Sequence, residues 1–149
     1  MTTTAGIAES APPPPVARRP RKSLWALRIL ALLHAVATIM QPILAGSYLS
    51  GSVDALGFHE MNAHIVTLFA MSMFVAGLVY AIAGRGRWWV AFAPLGMFVL
   101  EFVQEIFGYS QSLAVHIPLG VTVVLVNVFF AIWTFTSGAR KTRRVKAKS

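Results

Sequence analysis

The chain has 149 residues, of which 56% are hydrophobic and only 12% are charged, and it contains no cysteine. This composition lies outside the range of soluble domains and predicts an integral membrane protein whose first partner is the lipid bilayer. The lack of cysteine excludes disulfides and thiolate metal sites. The net charge of +8 does not indicate nucleic acid as a partner, because the basic residues are distributed as membrane topology requires.

Four apolar runs are long enough to cross a bilayer. They cover residues 24–45, 61–83, 88–107 and 113–135, and each has about the 20 residues that a hydrocarbon core of about 30 Å requires. The sequence therefore predicts an all-α membrane protein with a four-helix transmembrane bundle over residues 23–137. Residues 1–22 contain the run A-P-P-P-P and predict a disordered tail. Residues 138–149 predict a short basic tail.

The positions of Lys and Arg predict the orientation of the bundle. The basic residues are Arg18, Arg19, Arg21 and Lys22 before the first run, Arg85 and Arg87 between the second and third, and six residues from Arg140 to Lys148 after the fourth. The two opposite loops, residues 46–60 and 108–112, contain no Lys or Arg. By the positive-inside rule, both termini are cytoplasmic in a multi-pass protein of the cell membrane. Arg28, inside the first run, is expected to extend toward the same side.

An internal similarity links the two halves of the bundle. The first run ends Q-P-I-L-A-G-S-Y, residues 41–48, and the third ends Q-E-I-F-G-Y-S, residues 104–110. A His-Ile pair follows each of them, at His64 and at His116. The match predicts two parallel helical hairpins related by an axis along the membrane normal. His64 and His116 would then face each other across that axis.

Polar residues fall on one face of each predicted helix. The four faces are His34, Thr38 and Gln41 on the first helix, Glu60, His64 and Met71 on the second, Glu101, Gln104 and Glu105 on the third, and His116, Gly120 and Asn127 on the fourth. Because polar groups are costly in lipid, these faces are expected to line the bundle interior. His59 is assigned to the loop before the second helix.

The stretch H-E-M-N-A-H, residues 59–64, is not a metalloprotease motif. That motif needs two histidines four residues apart, and here they are five apart. The preferred interpretation is a b-type haem held by His64 and His116 from facing helices. Glu60, Gln104, Gly120 and His34 are further candidate residues of this cofactor site.

Two other functions remain open. His64, His116, Glu101 and Glu105 are suitable ligands for a divalent metal ion or suitable members of a proton relay. Alternatively, the polar residues only lock helix packing in a structural or accessory membrane subunit without a cofactor. A homodimer or a membrane complex is compatible with the sequence, although no G-x-x-x-G motif occurs within a span.

One segment resembles a known family. The run Q-E-I-F-G-Y-S-Q-S-L-A-V-H-I-P-L-G, residues 104–120, resembles the third and fourth helices of one four-helix half of haem A synthase. The chain resembles more closely a group of small bacterial four-helix integral membrane proteins, in which the second helix starts at H-E-x-x-A-x and the fourth at H-x-P-L-G. The first resemblance implies haem ligands at the start of the second and fourth helices. The chain departs from that family in two ways. It has E-x-x-x-H-I where the family has E-x-x-H-R, and it lacks the cysteine pair of the family's outer loop.

Overall fold

The computed structural model of the protein describes residues 22–142, so most of the two predicted tails, residues 1–21 and 143–149, lies outside the described residues. The helices are α1 (Lys22–Leu49), α2 (Asp54–Ile82), α3 (Trp89–Tyr109), α4 (Leu113–Phe135) and the short α5 (Ser137–Arg140). The first four are each long and apolar enough to cross a membrane, and residues 22–142 contain no β-strand. The prediction of an all-α multi-pass membrane protein with a four-helix bundle is confirmed at this level.

The helices form a ring in chain order. α1 packs against α2 and α4, and α3 packs against the same two helices. Short connections at residues 50–53, 83–88 and 110–112 make each helix antiparallel to the next. α1 therefore lies diagonally opposite α3, and α2 lies diagonally opposite α4.

Small residues occupy the helix contacts, while large apolar side chains point outward. Ile29, Val75 and Phe129 are each more than half exposed, as expected for a surface that faces lipid. Inside, an added Cβ at Gly77 of α2 would lie 2.8 Å from the Cα of Ala91 in α3. Membrane helices pack through such small residues, because lipid tails give no hydrophobic drive for association.

The second helix begins earlier than predicted. It starts at Asp54 instead of Met61, and α1 extends to Leu49, so the predicted loop over residues 46–60 is mostly helical. Because residues 46–60 include many polar residues, a search for apolar runs did not predict that they are helical. Asp54 in the first turn also favours a start there, because a carboxylate stabilises a helix N-terminus. His59 is consequently a residue of α2 and not of a loop.

The two ends of the bundle differ in charge. We call the end with the connections 50–53 and 110–112 the acidic end, and the end with the connection 83–88 and α5 the basic end. Asp54, Glu60, Glu101 and Glu105 lie in the half nearer the acidic end, whereas Lys22, Arg28, Arg85, Arg87, Arg140 and Lys141 lie toward the basic end. Among the described residues, the charges are thus fully separated along the bundle axis.

A buried cluster closes the basic end. Arg28 extends toward the basic end, as expected, but its side chain is only 3% exposed, and its Nε donates to the carbonyl of Thr134 at 2.9 Å. The Tyr80 hydroxyl donates to the carbonyl of Ala139 in α5 at 2.8 Å. Apolar side chains such as Leu27 and Met73 fill the adjoining core.

Candidate functional site

Two histidines are held in the same way by two glutamines. Nδ1 of His59 in α2 lies 3.1 Å from the backbone carbonyl oxygen of Gln41 in α1. Nδ1 of His116 in α4 lies 2.8 Å from the backbone carbonyl oxygen of Gln104 in α3. A carbonyl only accepts hydrogen bonds, so this contact favours the tautomer with the proton on Nδ1. The lone pair of His116 is then on Nε2. Nδ1 of His59 also lies 3.0 Å from the side-chain amide of Gln41, whose nitrogen donates to it in the orientation that satisfies the other contacts of this amide, so the carbonyl contact alone does not fix the tautomer of His59.

The rings of His59 and His116 lie close to each other across the bundle. Their centroids are 6.2 Å apart, and the ring planes make an angle of 64°. Two imidazoles that bind one metal ion from opposite sides, each at about 2 Å, have centroids about 6 Å apart. The structure therefore brings the rings of His59 and His116 to a separation that is compatible with two ligands of one metal ion.

His64 and Glu60 occupy a different surface. The His64 side chain is 66% exposed, and its Nδ1 lies 3.7 Å from Oε1 of Glu105. Glu60 is exposed and accepts a hydrogen bond of 2.8 Å from the Tyr109 hydroxyl. Met71 is 39% exposed, so the predicted inward face of Glu60, His64 and Met71 is wrong.

The inward face of α2 follows another helical stripe. Val66, Ala70, Met73 and Gly77 are buried, and they recur at intervals of three or four residues. Extending the stripe back by seven residues reaches His59. In the structure, small and apolar residues thus determine which side of α2 faces the bundle interior. The prediction was wrong because it used the polar residues for this purpose.

A small cavity lined by both polar and apolar side chains lies beside the two glutamines that contact the histidine pair. Its volume is about 30 Å³, and its walls include the predicted residues Glu101, Gln104, Glu105 and Gly120 together with Thr38, Gln41 and Ala63. This volume is sufficient for a water molecule. It is well below the roughly 300 Å³ at which small-molecule pockets begin.

Gln104 limits access to His116. Its Nε2 lies 3.2 Å from Nε2 of His116, and a Cβ at Gly120 would lie 3.1 Å from the same amide nitrogen. The donor set of two imidazoles fits the axial ligands of a haem, but the space beside them does not fit a porphyrin in this conformation. The Gln104 amide would have to turn away before His116 could bind iron.

The residues predicted for a divalent metal ion are not gathered at one point. Among residues 22–142, no three His, Asp or Glu side chains converge so that they could hold an ion. At most two of His64, His116, Glu101 and Glu105 therefore come within reach of one ion. A haem iron needs only two protein ligands, whereas zinc sites use three or four.

A second polar cluster lies deeper in the bundle. Nε2 of His34 in α1 lies 3.0 Å from Oε1 of Glu101 in α3, although the two are not aligned as a hydrogen bond. Asn127 of α4 donates to the same carboxylate oxygen at 3.0 Å. The three side chains are 0%, 5% and 2% exposed. Nδ1 of His34, Oε2 of Glu101 and Oδ1 of Asn127 have no hydrogen-bond partner among the described residues.

Two contacts of the site were missed in the sequence. His59 was assigned to a loop, and Asn62, which donates to the carbonyl of Ala37 at 2.8 Å, was not considered. The available signal was a glutamine in α1 and one in α3, each followed by a histidine in the next helix, 18 residues later for Gln41 and His59 and 12 residues later for Gln104 and His116. Comparisons of the chain with family models, with curated proteins and with solved structures give no match.

Proposed function

We propose that the protein is a membrane haem protein in which His59 and His116 would hold a b-type haem once the surrounding helices separate, since the space beside the pair is too small for a porphyrin in the closed bundle. The observation that carries this proposal is the equivalent attachment of both Nδ1 atoms to backbone carbonyls, with the rings 6.2 Å apart. Histidines that bind a metal usually donate their other N–H to a carbonyl or carboxylate, which fixes the tautomer and the ring orientation. His59 thereby replaces His64 as the partner of His116.

The two hairpins are proposed to be parallel repeats. The Gln41–His59 contact joins α1 to α2, and the Gln104–His116 contact joins α3 to α4 with the same atoms. An axis along the membrane normal between the hairpins would relate the two contacts. The positive-inside rule supports the further proposal that both chain ends lie in the cytoplasm and the histidine pair lies toward the opposite surface of the cell membrane.

The chain's own residues orient the ligands and set the charge around them. The carbonyls of Gln41 and Gln104 hold the rings, and Gly108 allows the His116 ring to lie against α3 because an added Cβ would be 2.8 Å from its Cε1. A haem with two histidine ligands would supply one-electron transfer. Carboxylates such as Glu105, at an end without Lys or Arg among the described residues, would favour the oxidised state of a bound haem, because that state carries more positive charge.

The test is purification in detergent after expression with added haem precursor, followed by absorption spectra of the oxidised and reduced protein. The wild-type protein is expected to show a Soret band that both His59→Ala and His116→Ala remove. His64→Ala is the matched control and is expected to keep the band, since its side chain is 66% exposed. Gel filtration and circular dichroism check that each variant is folded.

Two results would overturn the haem proposal. One is a colourless wild-type protein that also binds no haem when it is added to the folded protein. The other is a Soret band that disappears in His64→Ala but persists in His59→Ala.

A second candidate function, proton transfer from the acidic end, has its own supporting observation. Four titratable side chains form a series of falling exposure: His64 at 66%, Glu105 at 20%, Glu101 at 5% and His34 at 0%. Glu101 and Glu105 both line the water-sized cavity. The unpartnered Oε2 of Glu101 is the kind of buried atom that ordered water usually satisfies.

Infrared spectroscopy tests this proton site. Glu101 is expected to give a carboxyl band that changes as the pH is varied and that Glu101→Gln removes. Glu60→Gln removes an exposed carboxylate at the same end and serves as the control. An identical pH response in wild type and Glu101→Gln would exclude Glu101 as the proton-binding group, whether or not haem is bound.

A further inference from the structure

An apolar groove runs along the outer surface between α1 and α4. Its volume is about 420 Å³, which is within the range of small-molecule sites. The lining residues are Leu32, Ala35, Val36, Ile39, Val128, Ala131, Ile132 and Phe135. Ala35 and Ala131 are buried, whereas Val36 and Ile132 are both 59% exposed. The two alanines therefore form the floor, and the larger side chains form the walls.

The groove ends beside a buried positive charge. The ring of Phe135, which lines the groove, lies 4.9 Å from the guanidinium carbon of Arg28. Arg140 ends the short helix α5, five residues after Phe135. Nη2 of Arg28 has no hydrogen-bond partner among the described residues, and every acidic residue of that part of the chain lies toward the other end.

We propose that this groove binds one anionic phospholipid, with an acyl chain between α1 and α4 and the phosphate near Arg28 and Arg140. An all-apolar groove that faces the bilayer suits an acyl chain, because no polar group is left without a partner there. An anionic headgroup would bring a negative charge to an end of the bundle that has only basic residues among the described ones. Basic residues near a membrane surface attract anionic lipid.

The test uses native mass spectrometry of the full-length protein, released from mixed micelles that contain equal amounts of dioleoyl phosphatidylglycerol and dioleoyl phosphatidylcholine. The wild-type protein is expected to retain one phosphatidylglycerol with about tenfold preference, as one or two arginines acting on one phosphate would give. Arg28→Gln is expected to abolish the preference. Arg87→Gln, which removes an exposed charge from the same end, is expected to keep it.

A second pair of variants tests the groove itself. Ile132→Trp should fill the groove and remove the bound lipid. Leu125→Trp is the matched control, since Leu125 is 51% exposed and lies on the same face of α4, two turns away and outside the groove.

Three outcomes would overturn the proposal. They are equal retention of the two lipids by the wild-type protein, equal loss of preference in Arg87→Gln and Arg28→Gln, and a lipid-free dimer that Ile132→Trp dissociates. The last outcome would identify a second copy of the chain as the occupant.

Discussion

Replacing Gly108 by alanine tests whether the His116 ring is held against α3 as the haem proposal requires. In the native protein, the ring lies where a side chain at position 108 would be. The new Cβ would lie 2.8 Å from Cε1 and 2.9 Å from Nδ1 of His116, whereas ordinary contacts begin near 3.4 Å. The ring must therefore move by about 0.6 Å, which disturbs the 2.8 Å contact with the carbonyl of Gln104.

The magnitude follows from two opposing effects. Overpacking of this kind destabilises a fold by about 1–3 kcal/mol, and the gain in helix propensity from glycine to alanine offsets about 0.5–1 kcal/mol. The expected net loss is about 1–2 kcal/mol of unfolding free energy. If haem is bound, loss of the contact that orients a ligand should also weaken haem affinity by about 10- to 100-fold.

The assay is denaturation of the detergent-solubilised protein, together with a haem titration followed at the Soret band. Gly96→Ala is the matched control, because Gly96 lies in the same helix and an added Cβ meets nothing within 4 Å. That control should keep haem affinity and raise stability by about 0.5–1 kcal/mol. Equal haem affinity and equal stability in the two variants would refute the reasoning.

Three further substitutions test the packing around the site. Gly77→Ala should destabilise the bundle by about 1–3 kcal/mol in the same denaturation assay, because the new Cβ would lie 2.8 Å from the backbone of Ala91; unchanged stability would show that the helices separate freely. Tyr80→Phe removes the hydroxyl that donates to Ala139, so limited trypsin digestion after Arg140 should become faster, and an unchanged rate would contradict that role. Asn127→Leu leaves Glu101 without its amide donor and should cost about 1–3 kcal/mol of stability, whereas a more stable variant would indicate that the polar cluster is not held by this bond.

The sequence was sufficient for the helices because four apolar runs of bilayer length leave little choice of fold. The sequence was insufficient to predict which face of α2 points into the bundle. There, polarity predicted that Glu60 and His64 point inward, but close packing of Ala70 and Gly77 turns them outward and brings His59 in. Near a membrane surface, a polar residue can contact water from any side of a helix. Its polarity therefore does not predict that it faces the bundle interior.

The deeper cluster was predicted better than the histidine pair. The inward faces of α1 and α3 included His34 and Glu101, and the structure places these two side chains in contact. At mid-membrane depth a polar side chain has no water to reach, so polarity and inward orientation coincide. The partner of each residue could not be obtained from spacing alone, because it depends on how α1 and α3 sit across the bundle.

The depth of Glu101 makes its surroundings sensitive to voltage. It lies eight residues from the end of α3 at Tyr109, which is about 12 Å along the axis, or roughly two fifths of a 30 Å hydrocarbon core. A proton that enters from the acidic end and stops there would cross about that share of the membrane potential. Since one charge across the full membrane corresponds to about 2.3 kcal/mol per 100 mV, the energy of protonating Glu101 would change by about 0.9 kcal/mol for each 100 mV.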